Sequence, residues 1–184
     1  MIKLHYATFG GVVLKFIYFL LSMITCFMII SGILLWQAAR DNDQYTLKQR
    51  KFHDRVTRLY LGIYLGMFPS VAFFFAISKA TGFYMENGNR SAKIVFYICW
   101  LILTLVAVYG WKSYRRINSN FLLTGGIISL MVPLANGIFT GDWFWESIQI
   151  GFYDVAAVDL FWLFTGLLAL GTCWFTNRKK FYYP

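Results

Sequence analysis

From Phe16 to Trp36 the chain runs for 21 residues without a charge, FIYFLLSMITCFMIISGILLW. A helix needs about 20 mostly apolar residues to cross the hydrocarbon core of a bilayer, so this stretch alone predicts a transmembrane helix. Four more apolar segments follow, at 59–78, 94–111, 120–140 and 155–176. Lipid offers no partner for an unpaired backbone amide, which makes helices the expected form. The alternating segments of about ten residues that a membrane β-barrel would need are absent. Charged residues make up only 14%, too few to cover the surface of a water-soluble domain, and 59% apolar content excludes a disordered chain. The expected fold is all-α, a polytopic membrane bundle of about five transmembrane helices over 16–176. An outer N-terminal segment, 1–15, precedes it and a basic-aromatic tail, 177–184, follows. The first segment is longer than the core of a signal peptide, about 7–15 residues. With the poor cleavage site Gln37-Ala38-Ala39-Arg40 behind it, it reads as a retained helix.

Basic residues predict the orientation. With five helices, the connection after the first, the connection after the third and the C-terminus share one side. That side holds Arg40, Lys48, Arg50, Lys51, Arg55, Arg58, Lys112, Arg115, Arg116, Arg178, Lys179 and Lys180, and the other holds Lys3, Lys15, Lys79, Arg90 and Lys93. Twelve against five is a positive-inside bias that places the N-terminus outside and the C-terminus in the cytoplasm. The net charge of +9 then faces anionic lipid and calls for no nucleic acid. Trp36, Trp111, Trp143, Trp145 and the Phe181-Tyr182-Tyr183 tail fall at expected interfaces, where amphipathic rings prefer to sit. The segment 142–154, DWFWESIQIGFYD, reads as an outer interfacial stretch.

Few residues in such a chain can carry chemistry. Cys26, Cys99 and Cys173 each sit in an apolar run with no C-x-x-C, so a disulfide framework or a zinc site is not expected. The two histidines, His5 and His53, lie on opposite sides of the first helix and cannot share one metal or one haem. Each is either an interfacial polar residue or an axial ligand to a separate haem, completed from elsewhere. Asp159 falls inside the fifth segment, in VAAVDLFWL. A carboxylate in mid-bilayer costs about 2.5 kcal/mol or more and usually faces a bundle interior or a cavity. It either reaches water near a helix N-terminus or serves a proton relay or a haem propionate. Pro69 and Pro133 lie mid-segment and are expected to kink their helices, with Asn136 one turn from Pro133 and able to satisfy a freed carbonyl. Gly62/Gly66 and Gly125-Gly126 are close-approach signals between helices. No nucleotide-binding glycine loop and no H-E-x-x-H occurs.

With those residues laid out, the chain resembles the PepSY-associated transmembrane family of bacterial inner-membrane proteins. LHYATFGGVVLKFIYFLLSMITCFMIISGILLW looks like that family's LH-[FY]-G-x-[FW]-G-G opening and its helix ending in SGLLLW. HDRVTRLYLGIYLGMFPSVAFFFAIS, MVPLANG and VDLFWLFTGLLAL resemble its later helices. Ala7 stands where glycine is usual and Tyr60 where asparagine is common. The resemblance implies the C-terminal membrane half of such a protein, without the family's N-terminal helix and periplasmic PepSY modules: a split gene, a truncated paralogue, or a subunit completed by another chain. It further implies haem-linked electron transfer to periplasmic ferric iron or ferric siderophore, part of a membrane ferric reductase (an oxidoreductase of iron uptake). His5 matches a family motif and His53 does not match one firmly. The alternative is a non-catalytic membrane anchor or assembly subunit for a PepSY-carrying partner, or for a second copy. A small transporter finds less support, since no inverted repeat is evident.

Overall fold

The computed structural model describes residues 11–84, 88–111 and 113–178. Among them are six helices and no strand: α1 (Gly11–Arg40), α2 (Leu47–Tyr84), α3 (Gly88–Tyr109), α4 (Tyr114–Thr140), α5 (Phe144–Ile150) and α6 (Tyr153–Arg178). Five of the helices are long and apolar enough to cross a membrane, and the protein is an all-α multi-pass membrane protein.

The helices outrun the apolar segments that announce them. α2 has 38 residues, about 57 Å at 1.5 Å per residue, well beyond the roughly 30 Å of hydrocarbon. It begins at Leu47 rather than near Leu59 because LKQRKFHDRVTR contains neither glycine nor proline and is well capped. Thr46 N–H donates to the Gln49 side chain at 2.9 Å, and Gln49 N–H donates back to Thr46 Oγ1 at 3.4 Å, which is a capping box. Hydropathy detects the membrane, not the helix, so this polar start was invisible to it. α3 stops at Tyr109, leaving Trp111 beyond its end. Both α2 and α4 continue as helix through their prolines, Pro69 and Pro133.

The chain divides into two compact units, Met1–Tyr60 and Leu61–Pro184, with the division inside α2. In the first unit, α1 and the start of α2 form a hairpin around residues 41–46. Arg50 reaches Asp41 at 3.7 Å and Asp43 at 3.6 Å, and Asn42 holds the turn through Ala39 O and Gln44 N–H. Further along, the buried Thr57 hydroxyl donates to Gln37 Oε1 at 3.2 Å, tying α2 to α1.

In the second unit the rest of α2 packs with α3, α4 and α6. Small residues set the spacing. A Cβ added at Gly62 would stand 3.0 Å from Ala107 Cβ and 3.1 Å from the Thr104 backbone. One added at Gly126 would meet the Gly166 carbonyl at 3.2 Å. The glycine pairs singled out in the sequence therefore mark close helix contacts. Positions on α4 and α6 pair in opposite order, Ser119 with Cys173 and Asn136 with Asp159, so the two helices are antiparallel. α2 and α3 are also antiparallel: Trp100 Nε1 donates to Ile63 O at 2.9 Å and Phe74 stacks edge-on to Phe96. The core of this unit is Ala72, Val132 and Trp162, flanked by Phe68, Val71, Phe75, Ala76 and Ile128.

Candidate functional site

The second unit places its one deeply buried carboxylate where α4 ends and α6 begins. α4 closes at Gly141, whose left-handed φ of 78° suits glycine. The chain then turns through Asp142 and Trp143 into α5, turns again at Gly151 (φ 90°), and enters α6. Asp159 lies in the second turn of α6 and is 2% exposed. Asn136 on α4, fully buried, donates from Nδ2 to Asp159 Oδ2 at 2.8 Å and to the Asp142 carbonyl at 3.0 Å. Its own Oδ1 accepts from Thr140 Oγ1 at 3.2 Å. One amide thus joins α4, the 141–143 turn and α6.

The surroundings of that amide are closed. Trp143 packs on Gly137, where a Cβ would fall 2.4 Å from the indole, and stacks on Trp145 at 5.0 Å. Glu146 holds the turn by accepting from Trp143 N–H. Lys79, at the matching end of α2, is near enough for its charge to act on Asp159. Asp159 therefore neither reaches water nor merely decorates a helix N-terminus; it is half of an interhelical hydrogen bond. Asn136 does not satisfy the carbonyl freed by Pro133, as the sequence suggested, because both of its N–H donors are engaged elsewhere.

His53 sits in the first unit, on the polar start of α2. Its ring meets the edges of Trp36 at 5.1 Å, Tyr45 at 5.2 Å and Phe52 at 6.1 Å. Its Nδ1 is buried with no hydrogen-bond partner. Trp36 also carries the Arg40 guanidinium over its face at 4.5 Å. Beside the same tryptophan runs a crevice of about 430 Å³ lined by Met28, Ile29, Gly32, Ile33, Val56 and Tyr60. His53 is not among its walls. His5 lies outside the described residues, as does the tail from residue 179 onward. Pro69 and Pro133 are buried helix residues of the second unit.

Can these residues hold a haem? α1 carries the chain from Gly11 to Trp36, about 38 Å of helix, and His53 sits at the Trp36 end. The six residues from His5 to Gly11 reach at most about 20 Å, so the two histidines cannot meet at one iron. A ligating imidazole also normally gives its second nitrogen to an orienting acceptor, and His53 Nδ1 has none. No group of three or more His, Cys, Asp or Glu gathers among the described residues. His53 supplies at most one ligand, and the described residues do not complete a haem site.

The polar groups that pattern alone missed are pairs split between helices. Ser119, Cys173 and Asn177 form a second cluster between α4 and α6, with Asn177 Nδ2 donating to Ser119 Oγ at 3.0 Å. Their only sequence signal was polar residues within or beside apolar segments, and the separations of 54 and 58 positions hide the pairing.

Residues 1–39 match the model of the PepSY-associated TM region. The match takes in the LHYATFGG opening and nearly all of α1, the first of the stretches that carried the resemblance, and does not extend to the later helices. No curated protein and no solved structure matches the chain.

Proposed function

We propose that this membrane protein, which opens with a PepSY-associated TM region, is the membrane-embedded subunit of a PepSY-type assembly in the bacterial inner membrane, anchoring a partner that carries PepSY modules. What supports this reading is the use made of the buried polar groups. Asn136 with Asp159, Ser119 with Asn177, Thr57 with Gln37 and Trp100 with the Ile63 carbonyl each fasten one helix to another. Such bonds fix a scaffold. The connections at 41–46, 110–113, 141–143 and 151–152 are too short to hold an aqueous catalytic module between the spans.

A second reading, haem-linked electron transfer to periplasmic ferric iron or ferric siderophore, is supported by the family match at residues 1–39, the stretch that holds His5. It needs further imidazoles from a partner or a second copy, since this chain's two cannot meet. One preparation separates the readings. From its native host, after growth with haem precursor, the chain is expected to bring down a second membrane protein in a complex that is colourless. A Soret band in that complex overturns the anchor reading. In that event His5→Ala should remove the signal, with His53→Ala as the comparison.

A further inference from the structure

The charges of the two units are arranged differently. In the first unit each of the three acids pairs with an arginine, Arg50 with Asp41 and Asp43, and Arg58 with Asp54. Among the described residues of the second unit, the acids Asp142, Glu146, Asp154 and Asp159 and the bases Lys79, Arg90 and Lys93 belong to the end where α3 and α6 begin and α4 finishes. Arg115, Arg116 and Arg178 belong to the opposite end, where that unit has no described acid. α4 has 27 residues, so about 40 Å of helix separates the two sets, several times the screening length of about 8 Å in physiological salt. The acids at the far end cannot neutralise these three arginines.

The basic end is also set at interfacial depth. The Arg115 guanidinium donates to the Thr176 carbonyl, fastening the start of α4 to the last turn of α6. The Arg178 guanidinium lies 3.8 Å over the half-exposed Trp174 ring, and an indole at the end of an apolar helix marks the headgroup boundary. Arg116, one residue from the α4–α6 clasp, is exposed and makes no ion pair among the described residues. We infer that this end of the second unit, with Arg116 and Arg178 at its centre, binds the phosphate of an anionic phospholipid. Two guanidiniums joined to one helix pair hold a phosphate more selectively than scattered lysines, because each offers a planar fork of donors.

The test uses the full chain, delipidated in neutral detergent, with dioleoylphosphatidylglycerol, dioleoylphosphatidylcholine or inorganic phosphate as probes. Retained lipid is read by native mass spectrometry and stabilisation by thermal unfolding. Phosphatidylglycerol is expected to bind more tightly than phosphatidylcholine, and to weaken as salt is raised. In the double variant R116Q/R178Q, phosphatidylglycerol binding should fall by about 30-fold, taking each interfacial cation at its typical worth. R116K/R178K should keep only part of it, because lysine keeps the charge and loses the fork, and Arg90→Gln at the other end should change nothing. Equal binding of the two lipids overturns the proposal, as does full retention in R116Q/R178Q. A thermal shift from inorganic phosphate matching that from phosphatidylglycerol also overturns it, since the ligand would then be a soluble anion. Should R116Q/R178Q fail to fold, the salt dependence in the unaltered chain decides: phosphatidylglycerol binding indifferent to salt sinks the idea.

Discussion

At the scale of single residues, Asn136 matters more than the carboxylate that first draws attention. Asp159 is the costly group, but the cost falls only if a donor reaches it inside the bundle, and Asn136 is that donor at 2.8 Å. Interhelical polar contacts in membranes are worth about 0.6 kcal/mol on average and about 1.7 at most. An amide that satisfies both a carboxylate and the Asp142 carbonyl belongs near the upper figure. Asn136→Leu is therefore expected to destabilise the protein by about 1–3 kcal/mol, because it also strands a buried acceptor. A double-mutant cycle with Asp159→Leu should show coupling of about 1 kcal/mol, read from unfolding in detergent. Additive effects would mean that the pair does not cooperate. The sequence made Asp159 legible, because a charge in an apolar run stands out by itself. It did not make the pair legible: 23 positions separate its members, and a nearby proline offered Asn136 a more local partner. His53 shows the converse. Its position was plain, but the rings of Trp36 and Tyr45 around it depend on how α1 turns into α2.

At the scale of the helices, spacing is decided by glycines that meet backbone rather than side chain. Gly62 and Gly66 read as a weak signal because such pairs are common in apolar segments. The packing shows that the two differ. At Gly62 the obstacles are the Thr104 backbone and the Ala107 Cβ, at 3.1 and 3.0 Å, whereas at Gly66 the neighbours are side chains at 3.6 Å. Gly62→Leu should therefore push α3 away from α2, costing about 1–3 kcal/mol as overpacking does and weakening the Trp100–Ile63 hydrogen bond beside it. Gly171, with nothing within 4 Å of an added Cβ, is the matched position: Gly171→Ala should be neutral or gain up to about 1 kcal/mol from helix propensity. Thermal unfolding of the two variants side by side checks the contrast, and equal losses would refute the spacing argument. The existence of five spans was legible because length and hydropathy suffice for it. The helical start of α2 was not, since its signal is a capping box and an unbroken run of helix formers in polar sequence.

At the scale of the whole molecule, charge and topology give the chain a direction. Within the second unit, α3 and α6 run against α2 and α4, so residues 110–116 and 178 share one end, and residues 141–153 share the other with the start of α3. Arg115, Arg116 and Arg178 sort onto the first end, and the described acids of that unit onto the second, together with Lys79, Arg90 and Lys93. Counting spans along the sequence leads one to expect Arg40 and the five further cations between Lys48 and Arg58 on the cytoplasmic side as well. A bundle inserted the other way would have to carry that surplus across the membrane and away from the anionic leaflet, at about 1 kcal/mol for each cation near the surface. The expected orientation is therefore N-terminus outside and C-terminus in the cytoplasm, by the same bias that sets most polytopic proteins. A fluorescent reporter fused after Pro184 should be active only as a cytoplasmic protein, and an alkaline phosphatase inserted at Gly141 should be active only outside. Each reporter checks the other, because a lost or extra span between Gly141 and Pro184 would put both on one side. Phosphatase activity from a fusion after Pro184 would reverse the orientation and would move Arg116 and Arg178 to the leaflet poorer in anionic lipid.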